Sequence, residues 1–227
     1  MVFSHNSTQV VLGSGDKIVK IWNADNSTCF KILKGHNSVI RSVVFLYDNT
    51  WIASGSCDTT VKIWNTDNST CFKTLEGHSD QVWSVDFLYN GTQIVSRSSD
   101  KTVKIWNIGN SISPKILESY NETIHSVAFS YDGTQVVSGL EDKTIKIWNI
   151  SNSIYLKTLK GHNGIIISVA FSYDGTQIVS GSSDIMIKIW NINNGVCLKT
   201  LKGHNDWVWS VAFLHNCVTN NVSCYSN

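Results

Sequence analysis

Residues 161–191, GHNGIIISVAFSYDGTQIVSGSSDIMIKIWN, decide how the whole chain is read. Three short apolar-rich runs are separated by polar turns at Tyr173–Gly175 and Ser183–Asp184, and nothing in the stretch follows a helical 3.6-residue period. The same stretch recurs upstream with constant spacing. Trp22, Trp64, Trp106, Trp148 and Trp190 lie 42 residues apart, and Phe3, Phe45, Phe87, Phe129, Phe171 and Phe213 keep that step. So do Asp16, Asp58, Asp100, Asp142 and Asp184. A fourth column, His36, His78, His162 and His204, has Gly before each His and is broken by Tyr120. Several columns in one register make a repeat array, and a period near 40 residues calls for one supersecondary unit per repeat.

Each period predicts four strands. In the second unit these are 39–46, 51–56, 60–65 and 71–75, joined by turns at Asp48-Asn49 and Asp58-Thr59 and by the polar loop 67–70. Four antiparallel strands per unit, stacked radially, is one way for an all-β chain to protect its sheet edges. Pro114 falls at the position of Phe72, in an outermost strand, where a missing N–H is tolerated. The column Lys20, Lys62, Lys104, Lys146 and Lys188 reads as stems lying over sheet surfaces with solvated heads.

Composition narrows the function classes. Of 227 residues only 15% are charged, and the net charge is +1, which disfavours nucleic acid as a partner. No stretch approaches the length of a membrane span, and the N-terminus lacks a basic and apolar leader pattern, so the expected location is cytoplasmic. Cys29, Cys57, Cys71, Cys197, Cys217 and Cys224 form neither a C-x-x-C pair nor a zinc spacing, so no metal, cofactor or disulfide framework is expected. Acceptor patterns at Asn6, Asn26, Asn68, Asn90, Asn121 and Asn221 are expected by chance in a chain so rich in Asn, Ser and Thr. No phosphate loop, zinc-protease helix or nucleophile elbow is present, and no small-molecule substrate is implied.

The Gly-His pair, the segment SVAFSYDGTQIVSGSSD and the run IKIWN together resemble the WD40 (WD-repeat) β-propeller family, over residues 2 to about 216. The resemblance implies an all-β fold of four-stranded antiparallel blades. The family's Trp-Asp dipeptide is Trp-Asn here, at Asn23, Asn65, Asn107, Asn149 and Asn191. Five blades' worth of sequence is expected: 1–34 completed by 207–214, then 35–76, 77–118, 119–160 and 161–202. Residues 217–227, CVTNNVSCYSN, abandon the pattern. Family members usually carry seven blades, so the array reads as a piece of a longer one, with a self-closing five-bladed ring as the rival.

The resemblance also implies a hydrogen-bonded set within each blade. Carried over, the sets are His36, Ser54, Asp58 and Trp64; His78, Ser96, Asp100 and Trp106; and His162, Ser180, Asp184 and Trp190. Ser, His and Asp also make a hydrolase triad, but a catalytic site occurs once and this set repeats. Strand alternation leaves Ser54 and Ser56 equally placed. The fourth unit, with Tyr120 for His and Leu140 for the later Ser, is expected to be the weakest.

Function is expected where the repeats differ. One variable column runs Arg41, Trp83, His125, Ile167, Trp209; another runs Val39, Gln81, Thr123, Ile165, Trp207; a third runs Gly15, Cys57, Ser99, Glu141, Ser183. The resemblance places them on the top face, where partners dock. The expected function is a non-enzymatic scaffold or adapter that binds a protein or peptide there, with Arg41, Trp83, Trp207 and Trp209 as its aromatic and cationic core. The rival is a carbohydrate-binding, lectin-like five-bladed propeller that stacks sugars on Trp and bonds them through Asn.

Overall fold

The computed structural model describes residues 1–109, 113–118, 122–213 and 222–225. Regular structure in these residues is entirely β, and no helix is long and apolar enough to cross a membrane. Residues 1–116 and 117–227 form two compact units.

The first unit opens with β1 (Val2–Phe3), β2 (Gln9–Gly13), β3 (Ile18–Asn23) and β4 (Cys29–Lys34) in one antiparallel sheet. Next come β5 (Ile40–Phe45), β6 (Trp51–Ser56), β7 (Val61–Asn65) and β8 (Cys71–Leu75). The third sheet holds β9 (Val82–Phe87), β10 (Gln93–Ser98), β11 (Thr102–Asn107) and β12 (Lys115–Glu118). The second unit has β13 (Ile124–Phe129), β14 (Gln135–Leu140), β15 (Thr144–Asn149) and β16 (Tyr155–Lys160). It continues with β17 (Ile166–Phe171), β18 (Gln177–Ser182), β19 (Ile187–Asn191) and β20 (Cys197–Leu201), and with the pair β21 (Ser210–Phe213) and β22 (Val222–Tyr225). The fold class is therefore the expected one, five four-stranded meanders.

Two local readings differ from the structure. Where the sequence joins 207–214 to the first repeat, β2 instead takes Val2–Phe3 as its neighbour and β21 pairs with β22. Pro114 precedes β12 rather than lying in it, because a residue without an N–H cannot begin that strand's ladder.

Within each unit the core lies between successive sheets. In the first unit Val11, Val19, Ile21 and Leu33 of one sheet pack against Ile40, Val43, Phe45, Ile52 and Trp64 of the next. In the second unit Val137, Ile145, Ile147 and Leu159 meet Ile166, Val169, Ile178 and Trp190 in the same way. Such close packing is permitted by glycine. A Cβ at Gly55 would lie 2.8 Å from Val82 Cγ1, and one at Gly13 would lie 2.4 Å from Ile40 Cγ2. Gly139 and Gly181 meet Ile166 and Val208 equally closely.

Polar bonds reinforce junctions within each unit. The Val85 amide donates to Ser42 Oγ at 3.2 Å, Val169 to Ser126 at 3.2 Å and Val211 to Ser168 at 3.1 Å. A lysine of β4, β8 and β16 reaches the loop after the third strand of the following repeat. Lys31 Nζ donates to the Thr66 carbonyl, Lys73 to that of Ile108 at 3.0 Å, and Lys157 to those of Ile192 and Asn193 at 3.1 and 2.6 Å. In the other lysine column, Lys62 and Lys188 donate to Thr74 and Thr200, while Lys104 is buried rather than solvated.

The Trp-Asn variant keeps the turn chemistry of an acidic side chain. Asn23 Oδ1 accepts from the amides of Asp25 and Asn26 at 2.9 and 3.1 Å, and Asn65 Oδ1 from those of Asp67 and Asn68 at the same distances. Only an acceptor is needed there, so the amide serves without the charge.

Gly55→Ala tests the packing reading. The new methyl forces Val82 and Val85 to move, and a loss of about 1–3 kcal/mol is expected in urea unfolding. An unchanged midpoint would show that the junction has slack.

Candidate functional site

Indole N–H groups buried in a sheet need acceptors, and this need organises the repeated polar set. In the second sheet Trp64 Nε1 donates to Ser54 Oγ at 2.8 Å. Ser54 lies 2.7 Å from His36 Nε2, and His36 Nδ1 lies 2.8 Å from Asp58 Oδ2. Asp58 also accepts from the Asn37 amide at 2.8 Å and the Thr60 hydroxyl at 2.7 Å. These partners assign the protons: Ser54 donates to Nε2, and Nδ1–H donates to the carboxylate. Ser54 and Ser56 are thereby told apart, since Ser56 Oγ instead donates to the Val39 carbonyl at 2.9 Å.

The third sheet repeats the set, with Trp106–Ser96 at 2.7 Å, Ser96–His78 at 2.8 Å and His78–Asp100 at 2.7 Å. So does the sheet of β17–β20, with Trp190–Ser180 at 2.8 Å, Ser180–His162 at 2.8 Å and His162–Asp184 at 2.8 Å. In the fourth repeat Trp148 Nε1 reaches Ser138 Oγ at 3.1 Å; Tyr120, on which the expected weakness of that blade rests, lies outside the described residues. In the first repeat Leu12 faces Lys20 where Ser54 faces Lys62, and the buried Trp22 N–H makes no hydrogen bond among the described residues.

These sets resemble a hydrolase triad in order but not in access. Ser54, Ser96 and Ser180 are fully buried, and each oxygen is already committed to an indole and an imidazole. No reacting carbonyl can come within the roughly 3–3.5 Å that attack requires. Burial lowers the pKa of His36 and of His162 below 6.5, against the raising effect of their Asp partners. Burial alone would raise Asp58, but hydrogen bonds from Thr60, Asn37 and His36 outweigh it and hold the carboxyl at about 2. Asp100 and Asp184 are lowered by the same competition.

The variable columns have a different physical origin. The register steps from Ile40↔Ser56 to Ser42↔Gly55, and from Val82↔Ser98 to Ser84↔Arg97. The same step occurs at Ile124 to Ser126 and at Ile166 to Ser168. Arg41, Trp83, His125 and Ile167 are thus the extra residues of four β-bulges, released from the in-and-out alternation that packs their neighbours. A bulge re-aims its side chain without disturbing the core, which is why this column is free to vary.

In the first unit residues of all three variable columns meet. The Arg41 guanidinium carbon lies 4.3 Å from the Trp83 ring centroid, and Arg41 Nε donates to Cys57 Sγ at 3.1 Å. The Cys57 thiol donates to Gln81 Oε1 at 3.0 Å, and Trp83 Nε1 donates to Ser99 Oγ at 2.6 Å. Val39 contributes its carbonyl, which accepts from the Cys57 amide at 2.8 Å. In the second unit Trp207 and Trp209 are 47% and 57% exposed, with ring centroids 5.3 Å apart. Glu141 is exposed, while His125 and Ile167 are half-buried. No group of three or more His, Cys, Asp or Glu able to hold a metal occurs among the described residues.

Arg97 was not among the expected site residues. It stands where the other repeats have Gly13, Gly55, Gly139 and Gly181, and that break in an otherwise constant column was the available signal. Its guanidinium lies 5.8 Å from the Trp83 ring, and burial pushes its pKa down to about 9.

Two predictions follow from the buried sets. Ser54→Ala orphans both the Trp64 N–H and His36 Nε2, and a loss of about 3 kcal/mol is expected. Ser138→Ala removes two longer bonds, from the Trp148 N–H at 3.1 Å and to the Lys146 carbonyl at 3.5 Å, so its loss in the same urea assay is expected to be smaller. Acidification is the second test. A histidine held neutral binds its proton later than the unfolded chain does, so stability is complete above pH 6.5 and falls as pH drops through that value. The lowered carboxylates add a second loss below pH 3.8, down to about 2. A urea midpoint that rises between pH 7 and 6 contradicts the assignment.

Comparison with known families agrees with this geometry. The family described as WD domain, G-beta repeat matches residues 1–23, 27–65, 69–107, 113–149, 153–191 and 195–223. No curated protein matches the chain. WD repeats generally mediate protein–protein interaction and scaffolding, and their propellers are typically non-enzymatic. Five four-stranded meanders, three complete Trp–Ser–His–Asp sets and repeat matches from residue 1 to 223 leave one conclusion: the chain belongs to the WD-repeat family of β-propellers.

Proposed function

We propose that the chain is a non-enzymatic scaffold that captures a protein or peptide partner in the cytoplasm through the bulge and turn residues of its blades. The observation that carries this reading is the concentration of interface-type side chains at the positions where the repeats differ. Arg41 is exposed and stacked on Trp83, and Trp207 and Trp209 present more surface than any other tryptophans among the described residues. Trp and Arg are the residue types that most often carry binding energy at interfaces. Their aromatic area comes with few rotatable bonds, so little entropy is lost on docking. The constant columns, in contrast, are spent on packing and internal hydrogen bonds.

The test is partner capture by the immobilised chain, with Trp83→Ala and Trp209→Ala combined in one variant. The species retained by the native chain should be lost, while the urea midpoint stays unchanged. Unfolding of the variant would assign the tryptophans to the core, and undiminished capture would place the docking surface elsewhere.

A further inference from the structure

The chain contains two arginines against sixteen lysines, and both lie within 6 Å of the Trp83 ring centroid. Neither occupies a repeated arginine position. Arg41 shares its column with Trp, His and Ile, and Arg97 replaces a glycine. Two departures from a near-constant repeat have converged on one indole.

The two guanidinium groups have different surroundings. Arg97 is opposite Ser84 in the β9–β10 register, and Val95 is opposite Asp86, so Arg97 and Asp86 share a face of the sheet two positions apart. Asp86 is also a departure, in a column of Val44, Ala128, Ala170 and Ala212. The buried charge thus has an opposite charge within its own sheet. Arg41 has none. It is exposed, its Nε is bound to Cys57 Sγ, and its two Nη groups make no hydrogen bond or ion pair among the described residues. The guanidinium plane is fixed on one side by the indole, which is itself held by Ser99. Beside it opens a cavity of about 180 Å³ lined by Met1, Val2, Gly13, Arg41, Ser42 and Val43.

We propose that Arg41, seated on Trp83, is a carboxylate-binding subsite that takes an Asp or Glu side chain of the partner peptide. The proposal rests on the scaffold reading above. The paired Nη groups present two parallel N–H donors that match the two oxygens of a carboxylate. Stacking fixes the fork before the ligand arrives, which removes part of the ordering cost. A single exposed guanidinium balances one negative charge, whereas a phosphoryl group carries nearly two at neutral pH and calls for a second cation. The cavity next to Arg41 is the place for the neighbouring residue of the same peptide.

Phage-displayed random 12-residue peptides, panned on the full chain and on Arg41→Gln, test this. The native chain is expected to enrich Asp and Glu over the input library, and Arg41→Gln is expected to lose that preference with an unchanged urea midpoint. For a selected peptide, Glu→Gln in the ligand and Arg41→Gln in the protein should each weaken binding about tenfold and should not add when combined. Arg41→Lys keeps the charge but not the fork, and should also weaken binding. Enriched peptides without an acidic preference, or a preference that survives Arg41→Gln, would overturn the subsite alone. Tighter binding of the phosphoserine version would overturn it in favour of a phosphoryl reader. No enrichment of any peptide would overturn the scaffold reading as well.

Discussion

A buried indole N–H needs an acceptor, and in the sheets of β5–β8, β9–β12 and β17–β20 the polar residues are arranged around that need. Ser54 meets it for Trp64, and the serine hydroxyl in turn needs somewhere to donate. The imidazole that accepts it sits in the loop before β5, and the carboxylate that orients the imidazole sits in the turn between β6 and β7. One proton requirement therefore ties together two strands, a loop and a turn. Because the chain of donors ends on an ionised carboxylate, each bond polarises the next. The first repeat shows the alternative: with Leu12 in the serine position, Trp22 is held by packing alone among the described residues.

This internal satisfaction separates folding from recognition. Residues inside the polar sets and the apolar seams cannot change without leaving a group unpaired or a methyl overlapping its neighbour. The bulge residues carry no such duty. Arg41, Trp83, His125 and Ile167 occupy equivalent places in four successive sheets, yet share neither charge nor shape. Specificity can accumulate there at little cost to stability.

Much of this was legible in the sequence because the repeat supplies its own alignment. The four-strand period and the sheet topology follow from columns at a 42-residue step, while the membership of the polar sets was what the family resemblance implied. Choosing Ser54 over Ser56 was beyond strand alternation, since both face the same way and only the bonds to Trp64 and His36 tell them apart. The bulge was readable in principle: Val82 and Val85 are both buried but three positions apart, where a regular strand places its buried residues at even spacing. Arg97 is hard to find in the sequence because it breaks a constant glycine column once, whereas the other site residues lie in columns that vary throughout. The contact of Arg41 with Trp83 joins residues 42 positions apart, and no local pattern reports it.

The lysine of three outer strands and the carbonyl it grips lie 35 residues apart, at Lys31 and Thr66, Lys73 and Ile108, and Lys157 and Ile192. At these junctions the earlier repeat supplies the donor and the later one the acceptor. A tandem gene duplication of any 42-residue frame restores both halves of this clasp at each new junction, wherever its breakpoints fall. Arrays built in this way can lengthen or shorten in a single genetic event and still fold.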